Sequence, residues 1–378
     1  MRPTDAGDLA EIIADAAAAG RKLELRGGGT KSEIGAPREA EIVDMTGFSG
    51  VIDYDPAELV LTVGAGTPLA DVEALVRGRN QMLAFEPFDH GPLFGRPVGA
   101  ATIGGVIAAG VSGSRRVSRG AARDHLLGFK GVSGRGEAFV GGAKVVKNVT
   151  GYDLPKLVTG GWGRLAALTE ITLKVLPRPE TALTLVLDAL DPRAAQTTMS
   201  MAMGSQADVA AAAHTQGLTA FRLEGFGPSV TARRDALEAL LADAGPARIL
   251  TEIEAEAFWR GLRDLDALDD GRPLWRVSTP PSRACQIVDT LAPLGARWLM
   301  DWAGGLLWLT FDGAPAALRQ AAEAVGGHAM LVRAPDGLRA RVPALHPQPT
   351  GVRALEARVR RAFDPKGVFE TGRFLDAD

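Results

Sequence analysis

Cysteine is almost absent from this sequence, since Cys285 is the only one in 378 residues. An internal disulfide is therefore excluded, and so is an iron–sulfur cluster held by four thiolates of this chain. Long apolar runs are also missing, because no stretch approaches the roughly 18 residues that a transmembrane helix needs. We expect a cytoplasmic protein, or one peripheral to the inner face of a membrane only through partners.

Basic charge is not in excess, and histidines are few. The net charge is −3, which gives no electrostatic reason to expect nucleic acid as a partner. No two histidines have a metal-ligand spacing such as H-x₃-H, so we expect no metal site. The histidines are His90, His125, His214, His328 and His346. A hydrophobic content of 46% with 23% charged residues is typical of a globular protein.

The length suggests two or three domains, and the pattern of the chain changes near Pro179. Helical spacing over residues 7–19 is followed by the strand-like "KLELR". Thr67 stands in the N-cap position and Pro68 at the first helical position of "TPLADVEALVRG". Residues 180–335 alternate strand and helix candidates, as an α+β domain does. The tail carries a basic amphipathic helix and then a Pro/Gly stop.

Glycine is abundant, and three consecutive glycines form a candidate anion site. Gly27–Gly29 follow a strand in "LELRGGGTKSEIG", with Arg26 before them and Lys31 after them. The loop is not a Walker A motif, because Thr30 separates the last glycine from the lysine. A Rossmann fingerprint is also absent, since "VGAGTPLADV" has Leu69 where the third glycine should stand. Consecutive glycines let several N–H groups converge on an anion, although a simple tight turn is an equally good interpretation of the loop alone.

A second glycine-rich region favours ligand binding. Residues 99–163 contain 16 glycines, twice the density of the whole chain. The helix start in "GAATIGGVIAAG" would present the free N–H groups of Ala101, Thr102 and Ile103 to an anion. Two such elements far apart in the sequence suit a pyrophosphate that is held from two sides.

These motifs resemble a known family. The segments "LELRGGGTK", "VGAGTPLADVEALV", "GAATIGGVIAAGVSG", "RDHLLG", "GGAKVVKNVTGYDLPKL" and "LTEITLKVLPRP" have the order and spacing of the FAD-binding domain of the vanillyl-alcohol oxidase and p-cresol methylhydroxylase type. Together with "LWRVSTPP", "RWLMDWAGGLLWL" and "RRAFDPKGVFETGRF", they are similar to the FAD-binding subunit of bacterial glycolate oxidase. The resemblance implies an α+β fold: a two-subdomain FAD-binding domain over 1–178, a smaller α+β cap domain over 179–340, and a C-terminal helix and tail over 341–378 that return to the FAD domain.

The resemblance also implies which residues hold FAD. The glycine loop would wrap the pyrophosphate from one side, and Gly99–Gly105 would contact it from the other and run beside the isoalloxazine. Further residues would line the cofactor or give backbone bonds to the adenine. The implied contacts are Arg26, Gly27, Gly28, Gly29, Thr30, Lys31, Gly99, Ala101, Thr102, Ile103, Gly104, Gly105, Thr150, Gly151, Tyr152, Asp153, Ala167 and Leu168. Relatives that attach FAD covalently use a histidine near the first glycine loop or a later cysteine; neither stands in such a place here, so we expect non-covalent FAD.

The residues that would oxidise a 2-hydroxy acid are much less evident. The weak catalytic candidates are His90, in a loop that resembles one near the flavin, and Arg222 and Arg276, which could bind a carboxylate. Each has an ordinary structural interpretation as well. The histidine-rich signature of the dehydrogenase relatives is absent. This asymmetry is what the resemblance implies for a partner subunit: a catalytic FAD subunit and an iron–sulfur subunit would complete a complex acting on a small acid such as glycolate.

Two alternatives remain open at the level of the sequence. The chain could be a self-sufficient FAD-dependent 2-hydroxy-acid dehydrogenase with an unrecognised base. It could also be a scaffold subunit that has lost tight FAD binding, because Gly161, Arg164 and Ala166 replace the Ser, Thr and Gly that are common in the family. The tail likewise has "ETGR" where Asn-Pro-Gly-Arg or similar is usual.

Overall fold

The computed structural model describes residues 1–143, 151–215 and 217–374. Up to Arg178 the elements are α1 (Ala6–Ala19), β1 (Leu23–Arg26), β2 (Glu41–Asp44), β3 (Val51–Asp55), β4 (Val60–Gly64), α2 (Leu69–Arg77), β5 (Gln81–Met82), α3 (Ile103–Ala109), α4 (Arg116–Arg119), α5 (Ala122–His125), β6 (Leu126–Ser133), β7 (Ala138–Gly142), α6 (Leu154–Val158), β8 (Ala166–Lys174) and β9 (Leu176–Pro177). None of the helices in the described ranges is both long and apolar enough to cross a membrane.

From Pro179 onward helices and strands again alternate. The elements are β10 (Thr181–Asp188), α7 (Pro192–Met203), β11 (Val209–Thr215), β12 (Leu218–Gly225), α8 (Gly227–Leu240), β13 (Ala247–Ile249), α9 (Glu252–Asp264), β14 (Leu274–Ser278), α10 (Ala284–Leu291), β15 (Arg297–Asp301), β16 (Leu306–Thr310), α11 (Pro315–Glu323), β17 (His328–Arg333), α12 (Asp336–Arg339) and α13 (Thr350–Phe363). The mixture of helix and sheet confirms the predicted α+β class.

The chain divides into two compact units. The first contains Met1–Ser112, Gly120–Arg178 and the chain from Pro347 onward. The second contains Gly113–Arg119 and Pro179–His346. The short segment with α4 therefore belongs to the second unit, although it lies inside the 1–178 range expected for the FAD-binding domain. The three ranges 1–178, 179–340 and 341–378, as functional domains, stay a prediction.

The described residues of the first unit form three sheets, one of which is the short antiparallel pair β5–β9. The parallel pair β1–β2 aligns Leu23 with Glu41, and a five-stranded antiparallel sheet has the order β3-β4-β8-β6-β7. Helix α1 begins at the N-cap Asp5, whose carboxylate accepts the N–H groups of Gly7 and Asp8 at 2.8 and 2.9 Å. Its apolar side chains enter a core with β1, β2, β6, β8 and the C-terminal turn. That core contains Leu9, Ile13, Ala16, Leu23, Val43, Met45, Phe48, Val132, Ala167, Val368 and Phe369.

The start of helix α2 differs from the sequence-based prediction. The helix begins at Leu69, and the N-cap residue is Pro68, not Thr67. The Thr67 hydroxyl instead donates to the carbonyl of Gly64 at 2.7 Å and accepts the N–H of Gly50 at 3.0 Å. Thr67 therefore links the end of β4 to the turn at Gly50. Its buried hydroxyl is satisfied by these two hydrogen bonds and does not cap the helix.

One eight-stranded sheet forms the second unit, in the order β13-β10-β12-β11-β15-β16-β14-β17. Its pairs are antiparallel. Alternate strand residues such as Trp275, Val277, Leu307 and Leu309 pack in a core with apolar residues of α7, α8, α10 and α11. Because side chains alternate between the faces of a strand, Arg276 and Ser278 lie on the opposite face of the sheet.

Candidate functional site

The glycine loop after β1 lines a pocket of the first unit. The pocket encloses about 770 Å³, including the open space at its mouth. Ten of the residues predicted to bind the cofactor line it: Arg26, Gly27, Gly28, Gly29, Thr30, Lys31, Thr102, Gly104, Gly105 and Leu168. The other lining residues are Glu24, Leu25, Ser32, Met45, Ala65, Ala108, Ala109, Trp162, Gly163, Ala166 and Arg373.

The glycines of the loop allow a very close backbone approach to the segment before α3. A Cβ on Gly28 would lie 1.4 Å from the carbonyl oxygen of Ala100, and a Cβ on Gly27 would lie 2.2 Å from the Thr102 Oγ1. Both distances are far below van der Waals contact. Gly29 has a φ of +73°, which a residue with a side chain rarely adopts. The two glycine-rich elements identified in the sequence therefore pack directly against each other.

Several backbone donors of the loop have no acceptor. Nothing in the described part of the chain accepts a hydrogen bond from the N–H groups of Gly28, Gly29, Thr30 and Lys31. Each of these residues lines the pocket. Consecutive unbonded N–H groups in a turn form a concave, electropositive surface, which suits an anion.

Lys31 adds a buried positive charge to this surface. The side chain is buried, and its Nζ lies 3.3 Å from the Thr30 Oγ1. It forms no salt bridge with any carboxylate of the described residues. Burial, opposed by Asp89 and reinforced by Arg373, lowers the pKa of Lys31 to about 8. A buried ammonium without a counter-ion is costly, so this position favours a bound anion.

The neighbouring Arg26 has an ionic partner within the protein. Its guanidinium forms a salt bridge of 3.1 Å with Glu24, whose second oxygen lies 2.8 Å from the Nε of Arg38. Burial opposes ionisation of Glu24, but Arg38 and then Arg26 outweigh it and keep the pKa of this carboxyl below its usual value. Glu24 therefore remains negative and orients Arg26, but it is shared with Arg38, so these three side chains keep one net positive charge beside that of Lys31.

The predicted donor cluster at the start of α3 is wrong for two of its three N–H groups, those of Ala101 and Ile103. The N–H of Ala101 donates to Asp89 Oδ2 at 3.1 Å, and the N–H of Ile103 donates to the carbonyl of Thr67 at 3.0 Å. Neither group is free. Asp89 also accepts the N–H of Gly99 at 2.9 Å, so its carboxylate fixes the whole segment. The Thr102 side chain caps α3 by accepting the N–H of Gly105 at 3.2 Å.

Four further predicted cofactor contacts, all among the described residues, do not line this pocket. Ala167 belongs to the core of the first unit. Tyr152 is 91% exposed, and Asp153 caps α6 by accepting the N–H of Lys156 at 3.2 Å. Gly151 precedes them with a φ of +86°, and Thr150 lies outside the described residues. Their roles toward the cofactor stay predictions.

Two residues that line the pocket, and one that fixes the neighbouring segment, were missed by sequence reasoning. Arg373 donates to the carbonyls of Ile34, at 2.9 Å, and of Lys31, so the tail closes on the glycine loop. Its guanidinium lies 4.7 Å from the ring of Trp162, which has a φ of +57°. The third is Asp89. The Asp-x-Gly turn pattern at "DHG" was a usable signal for Asp89, whereas no local pattern marks the other two.

The three weak catalytic candidates do not line the pocket. His90 is buried in the first unit and stacks on Phe88, with ring centroids 4.6 Å apart. Arg222, in the second unit, is buried 3.5 Å from Glu224 and 4.4 Å from the ring of Trp259. Arg276 also lies in the second unit, on β14. No group of three or more His, Cys, Asp or Glu side chains in the described ranges could hold a metal ion.

Comparison with known sequences identifies the family. The profile described as "FAD binding domain" matches residues 1–142. Glycolate oxidase subunit GlcE of Escherichia coli (strain K12) is 32% identical over 353 residues, which cover 93% of this chain and 92% of that protein. The chain belongs to the family of glycolate oxidase subunit GlcE. A D-lactate dehydrogenase of Archaeoglobus fulgidus is 30% identical over 181 residues, covering 47% of this chain and 38% of that protein.

A solved structure supports the same fold. Alkyldihydroxyacetonephosphate synthase superposes with a TM-score of 0.68 at 14% identity, over 98% of this chain and 76% of that one. At this identity the likeness shows the fold alone. The GlcE family membership confirms the predicted vanillyl-alcohol oxidase-type fold, the FAD-dependent oxidoreductase class and FAD as the cofactor.

Replacing Gly28 by alanine tests the close approach that forms the pocket. The new Cβ would overlap the Ala100 backbone, so one of the two segments must move. We expect Gly28→Ala to lower the free energy of unfolding by about 3 kcal/mol. The measurement is urea-induced unfolding followed by far-UV circular dichroism.

Gly351→Ala, in helix α13, is the matched control, because no atom lies within 4 Å of the place that its new Cβ would take. This substitution should leave stability unchanged or raise it by up to about 1 kcal/mol. A Gly28→Ala protein as stable as the wild type would refute the close approach.

Proposed function

We propose that this chain is the FAD-binding subunit of a glycolate oxidase-like complex that oxidises a small 2-hydroxy acid such as glycolate. It holds FAD non-covalently and works with a catalytic FAD subunit and an iron–sulfur subunit. The likeness to GlcE extends over nearly the whole of both proteins, and GlcE is named as a subunit. Any association with a membrane would come through these partners.

The observation that carries the proposal is the uncompensated positive surface of the glycine loop. Four backbone N–H groups without acceptors in the described part of the chain lie beside the buried Nζ of Lys31. A pyrophosphate would accept these hydrogen bonds and supply the missing negative charge. The residues present therefore fit the dinucleotide part of FAD, with Gly28–Lys31 as its principal contacts.

The rest of the pocket fits a planar, largely apolar group. Ala65, Ala108, Ala109 and Leu168 line it with small or apolar side chains. Backbone groups of the strand around Ala167 and Leu168 are proposed to bond the adenine. The pocket thus combines one charged end with apolar walls, which is the usual composition of a cofactor site.

The chemistry of the lining supports non-covalent binding. No histidine, cysteine or tyrosine of the described residues lines the pocket. Cys285 lies in the second unit, where burial, with a further contribution from Asp289, raises the pKa of its thiol to about 11. A thiol of this kind is a poor nucleophile at neutral pH. We therefore assign the retention of FAD to hydrogen bonds, charge and packing.

We propose that this chain binds the cofactor and that a partner subunit supplies the catalytic base. Bound FAD supplies the hydride acceptor for oxidation of a 2-hydroxy acid. Oxidation also needs a base for the hydroxyl proton, and no histidine lines the pocket among the described residues. The loop of this chain binds and orients the cofactor through Lys31 and the backbone. Proton removal is assigned to the partner flavoprotein.

The pH dependence of FAD binding tests the role of Lys31. Its pKa of about 8 in the FAD-free protein means that the ammonium is present below pH 8 and lost above it. The pyrophosphate prefers the ammonium, so binding above pH 8 requires uptake of a proton. FAD affinity should be constant below pH 8 and then fall by up to about tenfold per pH unit. The measurement is the Kd for FAD between pH 6.5 and 9.5.

Two lysine variants of the first unit distinguish the effect of the Lys31 charge from that of an exposed lysine. Lys31→Met should weaken FAD binding about 10- to 100-fold at pH 7 and abolish the decline above pH 8. Lys130→Met removes an exposed lysine that pairs with Glu170 at 3.0 Å, and it should behave as the wild type. A Lys31→Met protein with the wild-type pH profile would contradict the assignment.

Visible absorbance of the purified chain tests the function itself. The chain should take up FAD, show an oxidised flavin spectrum, and release the flavin into solution on acid precipitation. Adding glycolate or D-lactate under anaerobic conditions should leave that spectrum oxidised. Co-purified catalytic and iron–sulfur subunits should then permit bleaching by glycolate.

The two alternatives give different spectra. Bleaching of the isolated chain by a 2-hydroxy acid would make it an autonomous dehydrogenase. Failure to take up FAD would make it a scaffold that has lost its cofactor. Flavin that stays with the precipitated protein would overturn the non-covalent attachment.

A further inference from the structure

The second unit contains an arginine that the described residues leave without a polar partner. Arg276 lies on β14, on the sheet face opposite the apolar core. Its guanidinium makes neither a hydrogen bond nor a salt bridge with the described residues. Arg222, on the same sheet, instead has Glu224 at 3.5 Å. The five donors of Arg276 therefore have no acceptor among the described residues.

A second guanidinium shares the aromatic neighbour of Arg276. The Cζ of Arg276 lies 5.1 Å from the ring centroid of Trp302, and the Cζ of Arg116 lies 4.2 Å from the same centroid. Burial, reinforced by Arg116 and opposed by Asp301, lowers the pKa of Arg276 to about 10. The two guanidinium groups near the indole are both positively charged and repel each other.

The indole is held in place by contacts within the same unit. Trp302 Nε1 donates to the carbonyl of Gly113 at 3.0 Å, and its backbone N–H donates to Asp301 Oδ1 at 2.7 Å. The other oxygen of Asp301 accepts the hydroxyl of Ser114 at 2.9 Å. Asp301 is thereby engaged in fixing Trp302, and it does not form a salt bridge with Arg276.

The backbone at this tryptophan is strained. Trp302 and Ala303 both have a φ of +54°, and Gly304 follows with a φ of +95°. Two consecutive non-glycine residues in the left-handed region cost free energy, and such strain is concentrated at functional sites. The strained turn presents the indole to both arginines.

We propose that Arg276, with Arg116 beside it on Trp302, binds the carboxylate of a small organic acid. The choice of a 2-hydroxy acid as the ligand rests on the proposed function; the anion site itself rests on the geometry of the second unit. The planar guanidinium fork of arginine matches the two oxygens of a carboxylate. A bound carboxylate would also offset the repulsion between the two arginines.

The neighbouring hydroxyl suits an acid that carries a second polar group. Ser278 lies two residues along β14 on the same face as Arg276, and its side chain bonds no described residue. Its hydroxyl could accept or donate a hydrogen bond. Glycolate has both a carboxylate and a hydroxyl, and it serves as the probe.

The test is a saturation-transfer NMR titration of the full chain with glycolate. Ethylene glycol, in which a hydroxymethyl group replaces the carboxylate, is the neutral analogue. Arg276→Met removes the charge, and Arg276→Lys keeps the charge but loses the fork. Arg248→Gln is the matched control, since Arg248 is an exposed arginine of β13 paired with Asp188 at 3.0 Å. Circular dichroism verifies folding, and FAD content is measured in parallel.

We expect the wild type and Arg248→Gln to bind glycolate equally, and ethylene glycol to bind much more weakly. The Kd for glycolate should rise about tenfold or more in Arg276→Met and by less in Arg276→Lys. Equal affinities in the wild type and a folded Arg276→Met overturn the proposal, as does the absence of glycolate binding. If Arg276→Met does not fold, a folded Arg276→Lys with the wild-type Kd overturns it.

Measuring FAD content in parallel separates failure of the anion site from failure of the proposed FAD-binding role. A chain that binds glycolate through Arg276 but takes up no FAD refutes the proposed FAD-binding role and leaves the anion site standing. A chain that binds FAD but has no glycolate site dependent on Arg276 refutes the anion site alone.

Discussion

The close approach of Gly28 to the Ala100 backbone is the constraint on which the first unit's pocket depends. Only a residue without a side chain fits there, because a Cβ would lie 1.4 Å from the carbonyl oxygen of Ala100. The contact brings the end of β1 against the segment that leads into α3. It also holds the loop in a turn in which four consecutive N–H groups, from Gly28 to Lys31, have no acceptor among the described residues. The close contact between Gly28 and Ala100 therefore underlies both the packing of the two segments and the exposure of the N–H groups to an anion.

The charged side chains near the glycine loop add to the anion-binding surface formed by the backbone N–H groups. Arg26 shares the carboxylate of Glu24 with Arg38, and Asp89 accepts the N–H groups of Gly99 and Ala101. Lys31 is left buried without a salt bridge in the described part of the chain. These two carboxylates near the loop thus have structural tasks, and the charge of Lys31 remains for the pocket. The free energy spent in burying an unpaired ammonium is recovered when an anion binds.

The sequence predicted the features that depend on local pattern. The family, the fold class and FAD are confirmed, because glycine spacing and strand alternation are encoded within short segments. The free N–H groups expected at Ala101 and Ile103 are wrong, since their acceptors are supplied by distant residues. Arg373 approaches the glycine loop from more than 300 residues away, and no periodicity could indicate that contact. The individual cofactor contacts, and the Arg276 site, stay predictions.

The most direct test of the central claim is an experimental structure of the chain saturated with FAD. We expect the pyrophosphate oxygens to lie within hydrogen-bonding distance of the N–H groups of Gly28–Lys31 and of the Nζ of Lys31. We also expect no covalent bond between the flavin and the chain. A structure in which the phosphates lie away from this loop, with Lys31 Nζ still bonded only to Thr30, would refute this binding mode.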